Sequence, residues 1–285
     1  MSLVFWGLKS RIPLHICVDA SKQKLPLTLI WQIVAPNDDA FGKLEGWDLT
    51  NQTIVNTLLE YHILLGTVAT TAVPAGQSIL APTLLTDPHY TNVTGGQNVV
   101  VNKQPDVVVF TSGEGSRSSL EGDGDIPFKG GLIQIVDTVM VPPARLELTA
   151  RNAYKDMIAF VGALYAADVL SPFADSQNVT IFVPRNAAFQ LLSGTLSGLS
   201  KEALARVLRY HLVPGRVLPS PSLANDTNLD TAQPRDATTN AAGVLAGSGP
   251  LPLHVTRAGN NLYVESAQVI QPDVLIANGV VHIIS

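Results

Sequence analysis

The chain has 285 residues, about two domains of ordinary size, each long enough to enclose a core of its own. Only 14% of the residues are charged and the net charge is −5, with no Lys/Arg cluster, which excludes a phosphate-binding stripe for nucleic acid. No run of about 18 apolar residues occurs, so no spanning helix is expected, and the single cysteine, Cys17, excludes an intrachain disulfide and a thiolate metal site.

Residues 1–27 form an atypical N-terminal segment. Met1 to Gly7 is apolar but is cut off by Lys9, Arg11 and Pro13, too short for a signal-peptide core. Ala35-Pro36-Asn37-Asp38-Asp39-Ala40-Phe41 follows, and it returns as Val183-Pro184-Arg185-Asn186-Ala187-Ala188-Phe189, the prolines standing 148 residues apart. Proline ends a strand because it cannot donate to a central ladder, and Asn beyond it suits a helix start. Tyr61-His62 returns 149 residues later as Tyr210-His211, and Gly131 returns 148 residues later as Gly279. Three matches in one order, with a period far beyond that of solenoid units, mean two tandem copies of one domain. The copies are expected at 28–143 and 144–285.

Each Tyr-His pair ends an expected helix. Leu204, Val207, Leu208 and His211 share one stripe, as do Ile54, Leu58, Leu59 and His62, with Ser200 as cap and the tyrosines near the helix edge. A core-facing neutral imidazole donates one hydrogen bond and accepts another, which makes these histidines framework groups first and part of an interaction motif second. Strands are expected after Gly66 and Gly215, then at Val99 to Val101, Val107 to Phe110, Leu253 to Thr256 and Leu262 to Val264, and on both sides of each repeated glycine. Copy two opens with a helix carrying Ala153, Met157, Phe160, Val161 and Leu164. Copy one has at that place only a segment broken by Pro13 and Pro26, so its opening helices read as missing or replaced, and the last strand of copy two reads as truncated at Ser285. Short, locally connected strands with grouped helices indicate an α+β class.

Four Asn-x-Thr triplets, at Asn51, Asn92, Asn178 and Asn225, fall in expected turns or element ends, where N-glycans can be carried. No catalytic residue, cofactor site or metal site is expected. The loop Gly113 to Ser119 lacks the Gly-Lys-Ser/Thr ending of a phosphate loop. Glu121, Asp123 and Asp125 alternate as calcium loops do, but lack the closing Glu. His15, His89, His254 and His282 are scattered without ligand spacing.

Val179-Thr180-Ile181-Phe182-Val183-Pro184-Arg185-Asn186-Ala187-Ala188-Phe189, Leu208-Arg209-Tyr210-His211-Leu212-Val213-Pro214-Gly215, and Val269 through Ile284 resemble the first conserved box, the tyrosine-histidine motif and the second conserved box of the fasciclin (FAS1) family. Ile33 to Phe41, Glu60 to Gly66 and Gly131 to Asp137 show the same set in copy one, and the hydroxyl-rich character is closest to fungal tandem members. Arg185 and Leu64-Leu65, where copy two has Val213-Pro214, depart from the family's pattern. The resemblance implies a β-sandwich-like wedge of about seven strands with a cluster of helices, present twice. It implies a non-enzymatic, glycosylated protein, extracellular or at the cell surface or wall, that binds cell-wall polysaccharide, matrix or surface proteins, or its own kind. A lipid anchor would belong to a longer form. Tyr61-His62 and Tyr210-His211 match the region implicated in integrin binding in animal relatives. Two alternatives stand beside it: a carbohydrate-active enzyme using Glu121, Asp123 and Asp125, and a vacuolar or secreted scaffold.

Overall fold

A computed structural model describes residues 31–43, 47–105, 107–122, 124–235, 238–239, 245–246 and 249–285. The first 27 residues with Cys17, His15 and the expected missing helices, and Asp123, lie outside these. The first half runs β1 (Trp31–Pro36), α1 (Asp38–Gly42), α2 (Gln52–Tyr61), β2 (Ile63–Leu65), β3 (Ser78–Pro82), β4 (Asn98–Lys103), β5 (Val108–Thr111), β6 (Arg117–Ser119), β7 (Ile126–Phe128) and β8 (Gly131–Val136). The second opens with three helices, α3 (Leu146–Asn152), α4 (Ile158–Ala166) and α5 (Leu170–Ala174), before β9 (Val179–Pro184), α6 (Asn186–Ser197), α7 (Lys201–Arg209) and β10 (Leu212–Val213). It continues through β11 (Thr227–Pro234), β12 (Thr238–Thr239), β13 (Leu245–Ala246), β14 (Pro250–Ala258), β15 (Asn261–Val264), β16 (Ala267–Ile276) and β17 (Gly279–Ile284).

One parallel pair organises each half. β1 runs alongside β8 with Trp31 opposite Gly131, and β9 alongside β17 with Val179 opposite Gly279. The partner backbone passes so close that a Cβ on Gly131 would stand 1.7 Å from the Trp31 carbonyl oxygen, and one on Gly279 would stand 1.9 Å from that of Val179. Glycine is therefore repeated at this place for want of room rather than for turning.

All other strand pairs are antiparallel. Among the described residues the first half has two four-stranded sheets, β2-β1-β8-β7 and β3-β4-β5-β6, whereas the second has one of seven, β10-β9-β17-β16-β15-β14-β11, and a two-stranded ribbon, β12-β13. The difference lies in one stretch. β16 runs ten residues and shifts register twice between Val269 and Val274, bending without breaking. At the matching place the first half interrupts its strand between β6 and β7, where the acidic loop leaves the ladder.

In the second half Leu146, Met157, Phe160, Leu164 and Phe173 of the helical layer bury against Val179, Ile181 and Val183 of β9. On the other face Phe182, Val213, Leu253 and Val255 form a second cluster. In the first half, the described helices give only Ala40 and Leu58 to a small cluster with Val139, flanked by Trp47 and Ile54. The main cluster there gathers Val34, Tyr61, Leu64, Val99, Val101, Phe110 and Met140.

Several local expectations are corrected. The strands expected after Gly66 and Gly215 come before them, as β2 and β10, and each glycine takes a positive φ in the following turn. The expected long helix at Ala153 to Leu164 is split around a short 3-10 turn, and Ala153 is exposed. Val207 is also exposed, its place in the core being taken by Ala205. Asn37 caps α1 by accepting from the Ala40 N–H at 2.7 Å. Asn186 instead pins α4, accepting from the Ala159 N–H and donating to the Lys155 carbonyl.

Candidate functional site

Helix α2 delivers Tyr61 and His62 into the interior. Tyr61 is 0% exposed, buried beyond the expected helix-edge position, and its hydroxyl donates to the Asn98 carbonyl at 2.9 Å. His62, 6% exposed, accepts at Nε2 from the Met140 N–H at 2.9 Å, which leaves the proton on Nδ1 to be donated to the Leu58 carbonyl at 2.6 Å. Burial depresses the His62 imidazole to about 4 and raises the Tyr61 phenol, so both stay neutral at physiological pH. This pair ties the end of α2 to β4 and to the segment after β8.

Tyr210 and His211 follow α7, which Ser200 caps by accepting from the Ala203 N–H. His211 donates from Nδ1 to the Phe182 carbonyl at 2.8 Å and sets its ring edge against Phe160; burial lowers its pKa. Tyr210 is only partly covered. Its hydroxyl lies 3.0 Å from the Pro252 carbonyl and 2.7 Å from Glu265, and desolvation with that carboxylate raises its pKa. A groove of about 520 Å³ opens beside it, lined by Arg206, Tyr210, His211, Arg235, Val207 and Leu251 among others. Val207 and Leu251 are 45% and 37% exposed. The sequence makes the two Tyr-His motifs equivalent; the structure puts the first inside and the second at a surface.

A buried polar belt, not foreseen from sequence, joins the parallel strands to the loop after each motif. In the first half Gln32 donates to Gln134 at 2.6 Å and accepts from the Val68 N–H, while Gln134 donates to Asp125, which accepts from the Thr70 N–H at 3.0 Å. In the second half Thr180 donates to the Arg216 carbonyl and accepts from the Leu218 N–H, and His282 donates from Nε2 to the Leu218 carbonyl at 2.9 Å. Asp273 takes the Ser220 N–H at 2.7 Å and its hydroxyl at 2.5 Å. Burial lowers the His282 pKa, against the opposing pull of Asp273. The signal was present: Gln32, Gln134, Thr180 and His282 are polar residues set within apolar strands, at matching places in the two copies.

Glu121, exposed, accepts from the Asn37 side chain at 2.7 Å, and Asp125 is held in the belt. Neither lines the 520 Å³ groove. His254 meets Asp226 and His89 meets Asp87, both at the surface. Among the sequons, Asn51 and Asn225 are exposed. Asn51 caps α2 by accepting from the Thr53 N–H, and Asn225 accepts from the Arg257 N–H. Asn92 and Asn178 stand half-buried where the two halves meet.

Residues 20–142 and 155–285 each match the family model of the Fasciclin domain. A Fasciclin-like arabinogalactan protein of Arthroderma benhamiae is 27% identical over 270 residues, which cover 94% of this chain and 59% of that one. The Fasciclin-like arabinogalactan protein elcF of Phaeosphaeria nodorum is 28% identical over 257 residues, covering 88% of this chain and 75% of its own. The chain thus spans about three fifths of the length of the first of these relatives. A solved FAS1 domain pair from the insect cell adhesion molecule Fasciclin I superposes with a TM-score of 0.42 at 17% identity, covering 90% of this chain and 87% of that one.

Proposed function

Because the chain belongs to the fasciclin domain family, we propose that it is a non-enzymatic adhesion protein of the cell surface, cell wall or extracellular space. Its two domains, 28–143 and 144–285, bind cell-wall polysaccharide, matrix or surface proteins, or a second copy of the chain. Fungal relatives named as fasciclin-like arabinogalactan proteins support the extracellular placement. The observation that carries the reading is how the repeated polar groups are used. Tyr61, His62, Asp125, His282 and Asp273 all bond to backbone or to one another, and so hold loops onto strands. What remains for a partner is surface: the groove at Tyr210, the Thr- and Asn-rich loops, and glycans on the exposed Asn51 and Asn225.

The carbohydrate-active alternative needs two carboxylates facing one cleft, and Asp125 already takes the Thr70 N–H and hydroxyl. The test uses protein secreted from a fungal host and coupled to beads. Binding to homologous cell-wall fragments, or bead clustering, is expected, with no rise in reducing ends from the polysaccharide. Reducing ends that accumulate with time would replace adhesion by hydrolysis, and absence of both binding and clustering would remove the adhesion reading.

A further inference from the structure

One of the places where the two domains meet is where the loop before β4 touches the β16–β17 turn and the loop before β9; another is the Asn152 side chain, which donates to Glu114 at 2.6 Å. The Asn92 N–H donates to the Ala277 carbonyl at 2.8 Å, and the Gln97 side chain, fully buried, donates to the Ala277 carbonyl at 3.1 Å. Asn178 engages the same loop three ways. Its N–H donates to the Asn92 carbonyl at 3.2 Å, its Oδ1 accepts from the Thr94 N–H at 2.8 Å, and its Nδ2 donates to the Thr94 hydroxyl at 2.6 Å. Asn178 has a φ of 55°, a left-handed conformation that asparagine tolerates better than most side chains.

Alongside this contact runs a groove of about 430 Å³ with walls from both domains. Leu80, Pro82 and Val93 come from the first, Val217 and Pro219 from the second, and Asn178 and Thr94 stand on its lining. Small-molecule sites span roughly 300–1,000 Å³, so the space suits one sugar ring. Nδ2 carries two hydrogens, and the bond to Thr94 uses one. An N-glycan is joined by replacing one of the two, which makes Nδ2, on the lining of this groove, the point of attachment.

We infer that Asn178 carries an N-glycan whose first N-acetylglucosamine sits in this groove and braces the two domains, its apolar face against the proline and valine walls. The inference rests on the reading of the protein as a secreted glycoprotein. It is tested on the unaltered chain in three forms: fully glycosylated from a secreting host, trimmed by an endoglycosidase that leaves one N-acetylglucosamine, and bare from bacteria. Site occupancy comes from glycopeptide mass spectrometry, and groove closure from hydrogen exchange of the Val93, Thr94 and Val217 amides. The expected result is an occupied Asn178, with exchange in the trimmed form as slow as in the full form and on the order of tenfold slower than in the bare one. A bare Asn178 beside occupied Asn51 and Asn225 overturns the inference while the glycoprotein reading stands. Four bare asparagines overturn both. An occupied Asn178 with equal exchange in trimmed and bare forms refutes the groove as the seat of the sugar.

Discussion

Acidification from neutral pH should weaken the first domain through one residue, His62. Its folded value of about 4 lies below the ordinary 6.5 because burial penalises the imidazolium. Below about pH 6.5 the unfolded chain takes up a proton at this position that the folded chain refuses. The stabilising contribution is therefore complete above about pH 6.5, shrinks as pH falls, and is exhausted near pH 4. The gap of roughly 2.5 units, at 1.36 kcal/mol each, sets a loss of about 3 kcal/mol across the window, a large part of the roughly 5–15 kcal/mol that holds a domain together. Glu60 opposes it, since burial and the charge on Asp87 raise its pKa and favour the folded state as pH falls. The three tryptophans, Trp6, Trp31 and Trp47, all lie in the first half, so their emission reports that half alone. Urea unfolding followed by tryptophan fluorescence at steps from pH 7.5 to 4.5 measures the slope. A His62→Gln variant should be less stable at pH 7 by about 1–3 kcal/mol, because the Leu58 carbonyl and Met140 N–H lose ideal partners, and it should lack the His62 share of the slope. A variant that keeps the full wild-type slope refutes the assignment.

Gly131→Ala and Gly279→Ala should each cost about 3 kcal/mol or more, since the new methyl falls on a strand carbonyl and the parallel pair must part; thermal melts that move by less than a few degrees would show that the strands adjust. Asn51→Asp keeps the oxygen that caps α2 and abolishes the sequon, so it should remove a glycan from the secreted protein without lowering the melting temperature, whereas Asn51→Ala should cost about 1 kcal/mol as well. Tyr61→Phe leaves the Asn98 carbonyl without its partner and should destabilise by about 1–3 kcal/mol in chemical denaturation while leaving bead clustering of the surviving folded protein unchanged. In the second domain, His211 and His282 are both held neutral by burial, and circular dichroism melts should therefore show stability falling with pH below about 6.5 there too.

What the sequence made legible was whatever depends on neighbours along the chain or on comparison of the two copies. Pro36 and Pro184 end strands, Ser200 caps its helix, and Gly131 and Gly279 open the strands that pair in parallel with β1 and β9. Less legible was anything decided across the sheet. Val207 falls on the apolar stripe by spacing yet faces the groove, because the wall opposite it is supplied by Leu251, more than forty residues on. The role of Asp125 depended on Thr70, a partner 55 residues away in the chain. Periodicity reads one element at a time, and such partners come from another. The sequons show the same limit: four equal triplets become two surface sites and two inter-domain ones only when the halves are seen together.

The belts behind the two Tyr-His motifs argue that the repeat preserves a mechanical task and not a chemical one. Gln32 and Gln134 in one half are Thr180 and His282 in the other, so amides give way to a hydroxyl and an imidazole, while the carboxylate of Asp125 or Asp273 holds the same loop in both. A reacting group could not be exchanged so freely, since its proton affinity and reach determine the chemistry; a group that needs only to satisfy buried N–H and C=O partners can be. The halves differ at the surface at Tyr210, which stands in a groove with Arg206 and Arg235, whereas its counterpart Tyr61 is wholly enclosed. On the adhesion reading proposed above, recognition would fall to the individual domain faces and to the seam between them, with the shared framework holding those faces in place.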